Sequence, residues 1–456
     1  MTRKVILLSV LISQFIVSCS SSNDSVIDES LNNDVNSFIT KPYSALTPAQ
    51  QKVKLENEAN AMFAKMDKTK TSGAIEAVQN LEYLLSISSV DILNKKNNNQ
   101  ISEVLNVSGV YGIYTWNSVQ KIWIKTPSTT DLKFVFPAKK TATTNNATLS
   151  SNSIASDVKI DVIDTYERGS WQYNQNTGNS SYVITSPAIY DQMFLPSSVN
   201  ATLSIDNVQA ATFAANAKYS GGNKTPDESG FKMVLNDGYV WENNGKKAQP
   251  NIVNSSFKYN GANLIKFTVN STANIDALLS ENGPALNQYQ GKANGLVEIM
   301  DNFLLVADMN LEVMANDQDI LNSSLAYPDY GKKSYFTDLN TYCKNKSLSE
   351  VAAYNKNIKM ALVSKQDGTK LADVIQVSEK AYSYVSYNVW VVDASSQNGG
   401  YWRWDSNTSG TLIQNYDNVL YLRFNDSTLV AMEVYFSSGF TNVETKFQNF
   451  INAFNR

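Results

Sequence analysis

Histidine is absent from the 456 residues. The commonest general base and metal ligand near neutral pH is therefore missing. Ser-His-Asp and Cys-His catalysis are excluded, and so are HExxH zinc sites. Cysteine is nearly absent, with only Cys19 and Cys343. Stability must come from the core if Cys19 is otherwise engaged, because Cys343 then has no partner. A buried, small apolar role is expected for Cys343 rather than a reactive thiol. Beyond the N-terminus no stretch approaches the roughly 18 consecutive apolar residues of a membrane helix. Basic runs interleaved with aromatics are lacking, so nucleic acid is not an expected partner. No P-loop, GxGxxG or CxxC pattern occurs. Any chemistry would have to run on carboxylates, lysine, tyrosine or bound calcium. No catalytic residue, metal site or cofactor is nominated.

What is present begins with MTRKVILLSVLISQFIVSCSSS. Arg3 and Lys4 form a basic start. Val5 to Val17 is apolar save for Ser9, Ser13 and Gln14. That run suits a signal peptide and falls short of the about 20 residues needed to span a bilayer. Ile16-Val17-Ser18-Cys19 then resembles the bacterial lipobox, in which the cysteine receives a diacylglycerol and becomes the mature N-terminus. The alternative is an ordinary signal peptide with an incidental cysteine. The lipobox resemblance implies lipid attachment at Cys19 and a membrane as partner, held stably because two or more acyl chains bind where one does so only marginally. The polar, acidic SSSNDSVIDESLNNDVNS that follows reads as a tether. A Cys-Ser-Ser-Ser start with Asp24, Asp28 and Glu29 nearby resembles outer-membrane lipoproteins of the Bacteroidota. The periplasmic face and the cell surface both fit these residues.

The expected organisation is a signal peptide over 1–18, a flexible tether over 19–44, a helical hairpin with an antiparallel β lobe over 45–290, and a second β-rich lobe ending in a helix over 291–456. The composition, 43% apolar and 18% charged with net charge −4, suits a globular body. Thr47-Pro48-Ala49-Gln50 forms a capping box that predicts a helix carrying Leu55, Ala59, Met62, Phe63 and Met66. A second helix is predicted after Ser72, with Ile75, Val78, Leu81 and Leu85 on one face. From Val110 the period becomes two, as in Leu132, Phe134, Phe136 and in Val158, Ile160, Val162. About eight short strands with turns at Asn236-Asp237-Gly238 and Asn260-Gly261 argue for antiparallel sheet. A short helix near Asn274 and two strands between Gly295 and Val313 follow. Ser347-Leu348-Ser349-Glu350 reads as a capping box opening a short helix. Asp367-Gly368 reads as a hairpin turn. Tyr382–Val392, Gly400–Trp404, Val419–Asn425 and Leu429–Phe436 read as strands, and Thr441-x-x-Glu444 caps a last helix. The fold class is α+β, an antiparallel sheet-rich body with amphipathic helices at both ends.

Several constellations invite chemistry and fail on spacing. Ser118-x-x-Lys121 and Ser255-x-x-Lys258 match a serine–lysine spacing that works only on a helix, with companion motifs this chain lacks. Asp405-Ser-Asn407-Thr-Ser409-Gly410 copies the first half of a calcium loop. Its twelfth position is Tyr416, where a bidentate acid belongs. Among 42 acids no glycosidase pair can be nominated from sequence.

The suggestive excess is aromatic: 24 tyrosines and 7 tryptophans. Tyr401, Trp402 and Trp404 follow the Gly399-Gly400 turn, with Trp402 and Trp404 on one strand face. Exposed rings there would stack on sugars; ordinary cross-strand packing explains the same residues. The expected function is a non-enzymatic binding module for a glycan or an amphiphile on the outer membrane. The rival is a structural or assembly lipoprotein contacting other envelope proteins. A carboxylate-dependent hydrolase comes third.

Overall fold

The computed structural model describes residues 29–66, 68, 71–87, 101–163, 169–174, 179–184, 190–279 and 289–437. Cys19 and the helix expected from Thr441 lie outside the described residues. The chain divides into two compact units. One contains Ala59–Phe267, and the other joins Val26–Glu58 to Thr268–Thr441.

The fold is α+β, with antiparallel sheet and helices near both ends. The first helix, α1 (Glu29–Ile39), occupies part of the expected tether. Leu31 and Val35 stand one turn apart and are buried against Leu304, Val306, Ala361 and Val363. Two apolar positions at helical spacing are enough to seat a segment whose composition otherwise reads as disordered. Helix α2 (Pro48–Met66) starts on the capping box expected for it. Gln50 N–H donates to Thr47 Oγ1 at 3.4 Å, and Thr47 N–H donates to Gln50 Oε1 at 3.0 Å.

In the first unit α3 (Gly73–Ile87) buries Ala74, Ile75, Ala77, Asn80, Leu81, Leu84 and Leu85. Ser72 Oγ accepts from Ile75 N–H at its start. A short α4 (Ile101–Leu105) precedes the strands. These are β1 (Gly112–Asn117), β2 (Ile122–Thr126), β3 (Leu132–Phe136), β4 (Ala147–Ile163), β5 (Gly169–Asn174), β6 (Asn179–Ile184), β7 (Tyr190–Ile205), β8 (Val208–Lys218), β9 (Glu228–Leu235), β10 (Tyr239–Lys246), β11 (Asn251–Tyr259) and β12 (Ala262–Ser271). Their order is β2-β1-β3-β4-β7-β8-β9-β10-β11-β12, with β5–β6 a separate pair. From β2 to β11 the neighbours pair antiparallel, except that β1 and β3 run parallel. Leu132, Phe134 and Phe136 face the core as their period predicts. The two turns carry the positive φ they require, at Gly238 (96°), Asn260 (49°) and Gly261 (81°).

In the second unit α5 (Ile275–Leu279) is followed by β13 (Lys292–Ile299) and β14 (Phe303–Asn310), then by α6 (Leu311–Ser324) and α7 (Tyr335–Asn357). The sheet continues with β15 (Ile358–Ser364), β16 (Thr369–Ser386), β17 (Asn388–Val392), β18 (Gly400–Trp404), β19 (Thr411–Arg423) and β20 (Leu429–Ala431), and α8 (Met432–Ser437) ends the described chain. The order is β13-β14-β15-β16-β19-β20, with β17–β18 a separate pair. One core joins Leu55, Phe303, Leu362, Leu371, Val374, Leu422, Phe424 and Tyr435.

Two expectations are corrected here. Ser347 does not cap a helix but lies inside the 23-residue α7, buried, with its hydroxyl bonded to Asn418 and Ser378. The strand expected over Leu429–Phe436 stops at Ala431 and gives way to α8.

Candidate aromatic binding surface

The second unit carries a contiguous network of rings. It is founded on how α7 sits on the sheet. Beyond Val374, β16 has no β15 partner. The Asn355 amide takes over there, donating to Gln376 O and accepting from Gln376 N–H, both at 2.8 Å. Asn340 does the same for β19, donating to Leu412 O and accepting from Gln414 N–H, again at 2.8 Å. These amides take up backbone groups of β16 and β19 and tie α7 to both strands. The first turn of α7 adds Phe336 and Leu339, buried against Ile413.

The hairpin β17–β18 packs onto that first turn. Trp390 and Trp402 face each other in register, with ring centroids 5.3 Å apart at 75°. Trp402 meets Phe336 edge-on at 4.6 Å, and its indole N–H donates to Lys332 O at 3.2 Å. The turn is built for close approach. Gly399 has φ +71°, and a Cβ at Gly400 would lie 2.4 Å from Val391 O and 2.6 Å from the Trp390 ring. A Cβ at Gly331 would meet the Asn398 amide at 2.5 Å. The loop before α7 thus lies against the hairpin turn.

From Phe336 the rings continue to Tyr335 at 4.9 Å and from there to Tyr330 at 4.9 Å. The hydroxyls of Tyr335 and Tyr327 stand 3.4 Å apart, and Tyr327 meets Tyr342 edge-on at 5.2 Å. The hydrogen bond with Tyr327, then burial and the neighbouring Tyr384 and Tyr330, push the Tyr335 phenol up to about 12. The Tyr335 hydroxyl is therefore a protonated donor at neutral pH. The solvent-facing members are Tyr327 (63% exposed) and Tyr330 (53%); on β18, Trp404 (65%) and Tyr401 (47%) also face solvent.

The three residues singled out in the sequence therefore fall into different roles. Trp402 is half-buried and holds the hairpin down. Trp404 lies two positions on and shares its strand face. Tyr401 belongs to the opposite face. The tyrosines at 327, 330 and 335 were not legible, because the loop and helix bearing them show no aromatic spacing that anticipates a β18 neighbour.

The other constellations do not assemble. Ser118 sits in the β1–β2 turn and donates to Thr143 O at 2.7 Å. Ser255 and Lys258 lie on strand β11, three positions apart and so on opposite faces. Ser255 bonds Asn243, and Lys258 pairs with Glu242 at 3.1 Å. Asp405 Oδ1 accepts from Asn407 N–H at 3.0 Å, making a polar turn. Among the described residues no cluster of three or more acids and cysteines could hold a metal ion. Cys343 on α7 is half-buried rather than fully buried, and burial pushes its thiol pKa up, which lowers its thiolate fraction. Among the described residues no helix is long and apolar enough to cross a membrane.

No protein-family model matches the chain, and comparison with curated proteins gives no match. Among solved structures, the chain is similar to a porin-like protein from Bacteroides vulgatus ATCC 8482. The identity is 10%, over 60% of this chain and 94% of that one, with a TM-score of 0.17.

Proposed function

We propose that this is a non-enzymatic cell-envelope lipoprotein, anchored through Cys19, that binds a glycan on the ring surface around β17–β18. The supporting observation is that surface itself. A packed row of Trp390, Trp402, Phe336 and Tyr335 adjoins exposed Tyr327 and Tyr330, and exposed Trp404 shares the strand face of Trp402. Rings immobilised by neighbours offer a stacking face with little side-chain entropy to lose on binding. Phenol hydroxyls beside them donate to sugar oxygens. An amphiphile would need an apolar enclosure. A depression of about 260 Å³ in the first unit is lined by polar groups such as Asp131, Lys133, Asn152 and Asn200 and offers no such enclosure.

Retention of the full chain on immobilised amylopectin, galactomannan and xyloglucan is the test. Trp404→Ala is expected to abolish retention with the far-UV spectrum unchanged; retention equal to wild type would remove the reading. Metabolic labelling with a fatty-acid analogue beside a Cys19→Ala control tests the anchor, and equal absence of label in both would overturn it.

A further inference from the structure

The sheet of the first unit begins on a strand whose outer edge no other described strand takes up. β2 pairs with β1 on one side and stands first in the strand order. Its seat is firm. Trp123 is buried, meets Trp116 at 5.3 Å and Phe134 at 5.8 Å, and donates its indole N–H to Leu84 O at 3.3 Å. The opposite face is apolar and open, with Ile122 42% exposed and Ile124 47%. A rigid edge carrying exposed β-branched residues is a template for a further strand.

Charge selects that strand. β2 reads IWIKT, with no acid, and exposed Lys121 and Lys125 flank its middle. Lys125 already lies 5.5 Å from the Tyr114 ring and needs no acid from a partner. A second β2 running antiparallel must keep like faces together, so its pairing is centred on a residue. Centred on Trp123, Lys121 falls opposite the second copy's Lys125; centred on Lys125, two lysines meet. Like charges directly opposed are destabilising. Centred at either end, most of the strand stays unpaired. Centred on Ile124, all five residues pair: Ile124 with Ile124, Ile122 with Thr126, and Trp123 with Lys125. The two Lys125 side chains then start about 14 Å apart, beyond the ~8–10 Å over which salt leaves surface charges coupled. The lysines that forbid the other registers permit this one.

We infer that β2 docks edge to edge with β2 of a second copy of this chain, antiparallel about Ile124, so that the sheets of two molecules run into one another. Five paired residues make a small contact, so the association is weak in solution, and trapping it is the direct readout.

The test uses the full chain carrying Cys19→Ala, which removes lipid from the measurement; with Cys343 kept, that chain is the blank. Opposed Cα atoms of an antiparallel pair stand about 4.5–5.5 Å apart, within reach of a disulfide. Ile124→Cys is expected to give a disulfide-linked dimer on mild oxidation, and so is a mixture of the Ile122→Cys and Thr126→Cys chains. Ile122→Cys alone and the blank are expected to stay monomeric, because the two copies of position 122 lie about 14 Å apart. Ile124→Lys sets two cations opposite one another. It is expected to weaken self-association at least about tenfold in sedimentation equilibrium, with an unchanged melting temperature. No dimer from Ile124→Cys, or as much dimer from Ile122→Cys alone, overturns the pairing. Self-association that Ile124→Lys leaves intact also overturns it, in favour of an interface elsewhere on the chain.

Discussion

Helices α3 and α7 each lie against sheet, but by opposite means. α3 buries a stripe of alanine, isoleucine and leucine, with Asn80 the one polar member, its amide donating to Pro137 O. α7 is longer by eight residues yet buries only Phe336, Leu339 and Ser347. It is held by directional contacts: Asn340 and Asn355 on backbone groups, Ser347 on Ser378 and Asn418, and Glu350 accepting from Asn418 at 2.8 Å. An apolar stripe tolerates small sliding, because hydrophobic attraction is non-directional. A hydrogen-bonded seat fixes register, because displacement breaks directional bonds and, at Ser347, leaves a buried hydroxyl unsatisfied. The ring surface stands on the second kind of footing, and a binding surface needs that precision.

The sharpest way to break the comparison is to remove apolar volume from α3. Leu81→Ala at a fully buried position should cost about 2–5 kcal/mol, read as a lowered urea midpoint. Gly400→Ala drives a methyl group into Trp390 and should cost about 1–3 kcal/mol and weaken glycan retention, whereas the same change at exposed Gly399 leaves Trp390 untouched. Ser347→Ala keeps the helix and removes its bonds to Ser378 and Asn418. A loss of about 0.5–1.5 kcal/mol is expected; no loss would mean that these bonds add nothing to the hold of α7. Asp373 offers an acid-side test. Burial pushes its pKa up, but hydrogen bonds from Lys370, Tyr43 and Arg423 outweigh burial and hold it below the ordinary carboxylate value. Its stabilising contribution is thus present above its unfolded pKa of about 3.9 and is lost as pH falls through the lower folded value. Urea midpoints below pH 4 should fall more steeply for wild type than for Asp373→Asn. The smallest effect is expected at Trp404→Ala, within about 0.5 kcal/mol of wild type because the ring faces solvent.

The same contrast marks what the sequence discloses. α3 was legible from Ile75, Leu81 and Leu85, and the Thr47–Gln50 box formed as written. Turns at Gly238, Gly261 and Gly368 were legible because positive φ selects glycine. α6 was not, since it buries no residue and so shows no stripe. α7 was not, since Ser347 finds its partners 31 and 71 residues away and its SLSE string mimics a cap. β8 was missed because VQAATFAANAK alternates small and polar residues with little apolar contrast. For the site, β18 announced itself through YWRW. Its neighbours on the α6–α7 loop come together with it through the Trp402–Lys332 hydrogen bond and the Phe336–Trp402 contact.

The strap at Pro42–Ser44 has a consequence for the order of assembly. Tyr43 bridges Lys370 in parallel, Ser44 N–H donates to Lys370 O at 2.8 Å, and the Tyr43 phenol reaches Asp373, 330 residues further on. A ribosome delivers the chain from its N-terminus, so the strap is made long before its dock. Ala59–Phe267 has every strand it needs from its own stretch, while the unit around it waits for β16 to be synthesised. The apolar stripe of α1 has no sheet to cover until β14 and β15 emerge, and the strap waits longer still for β16, so the nascent protein carries an open seam that closes last.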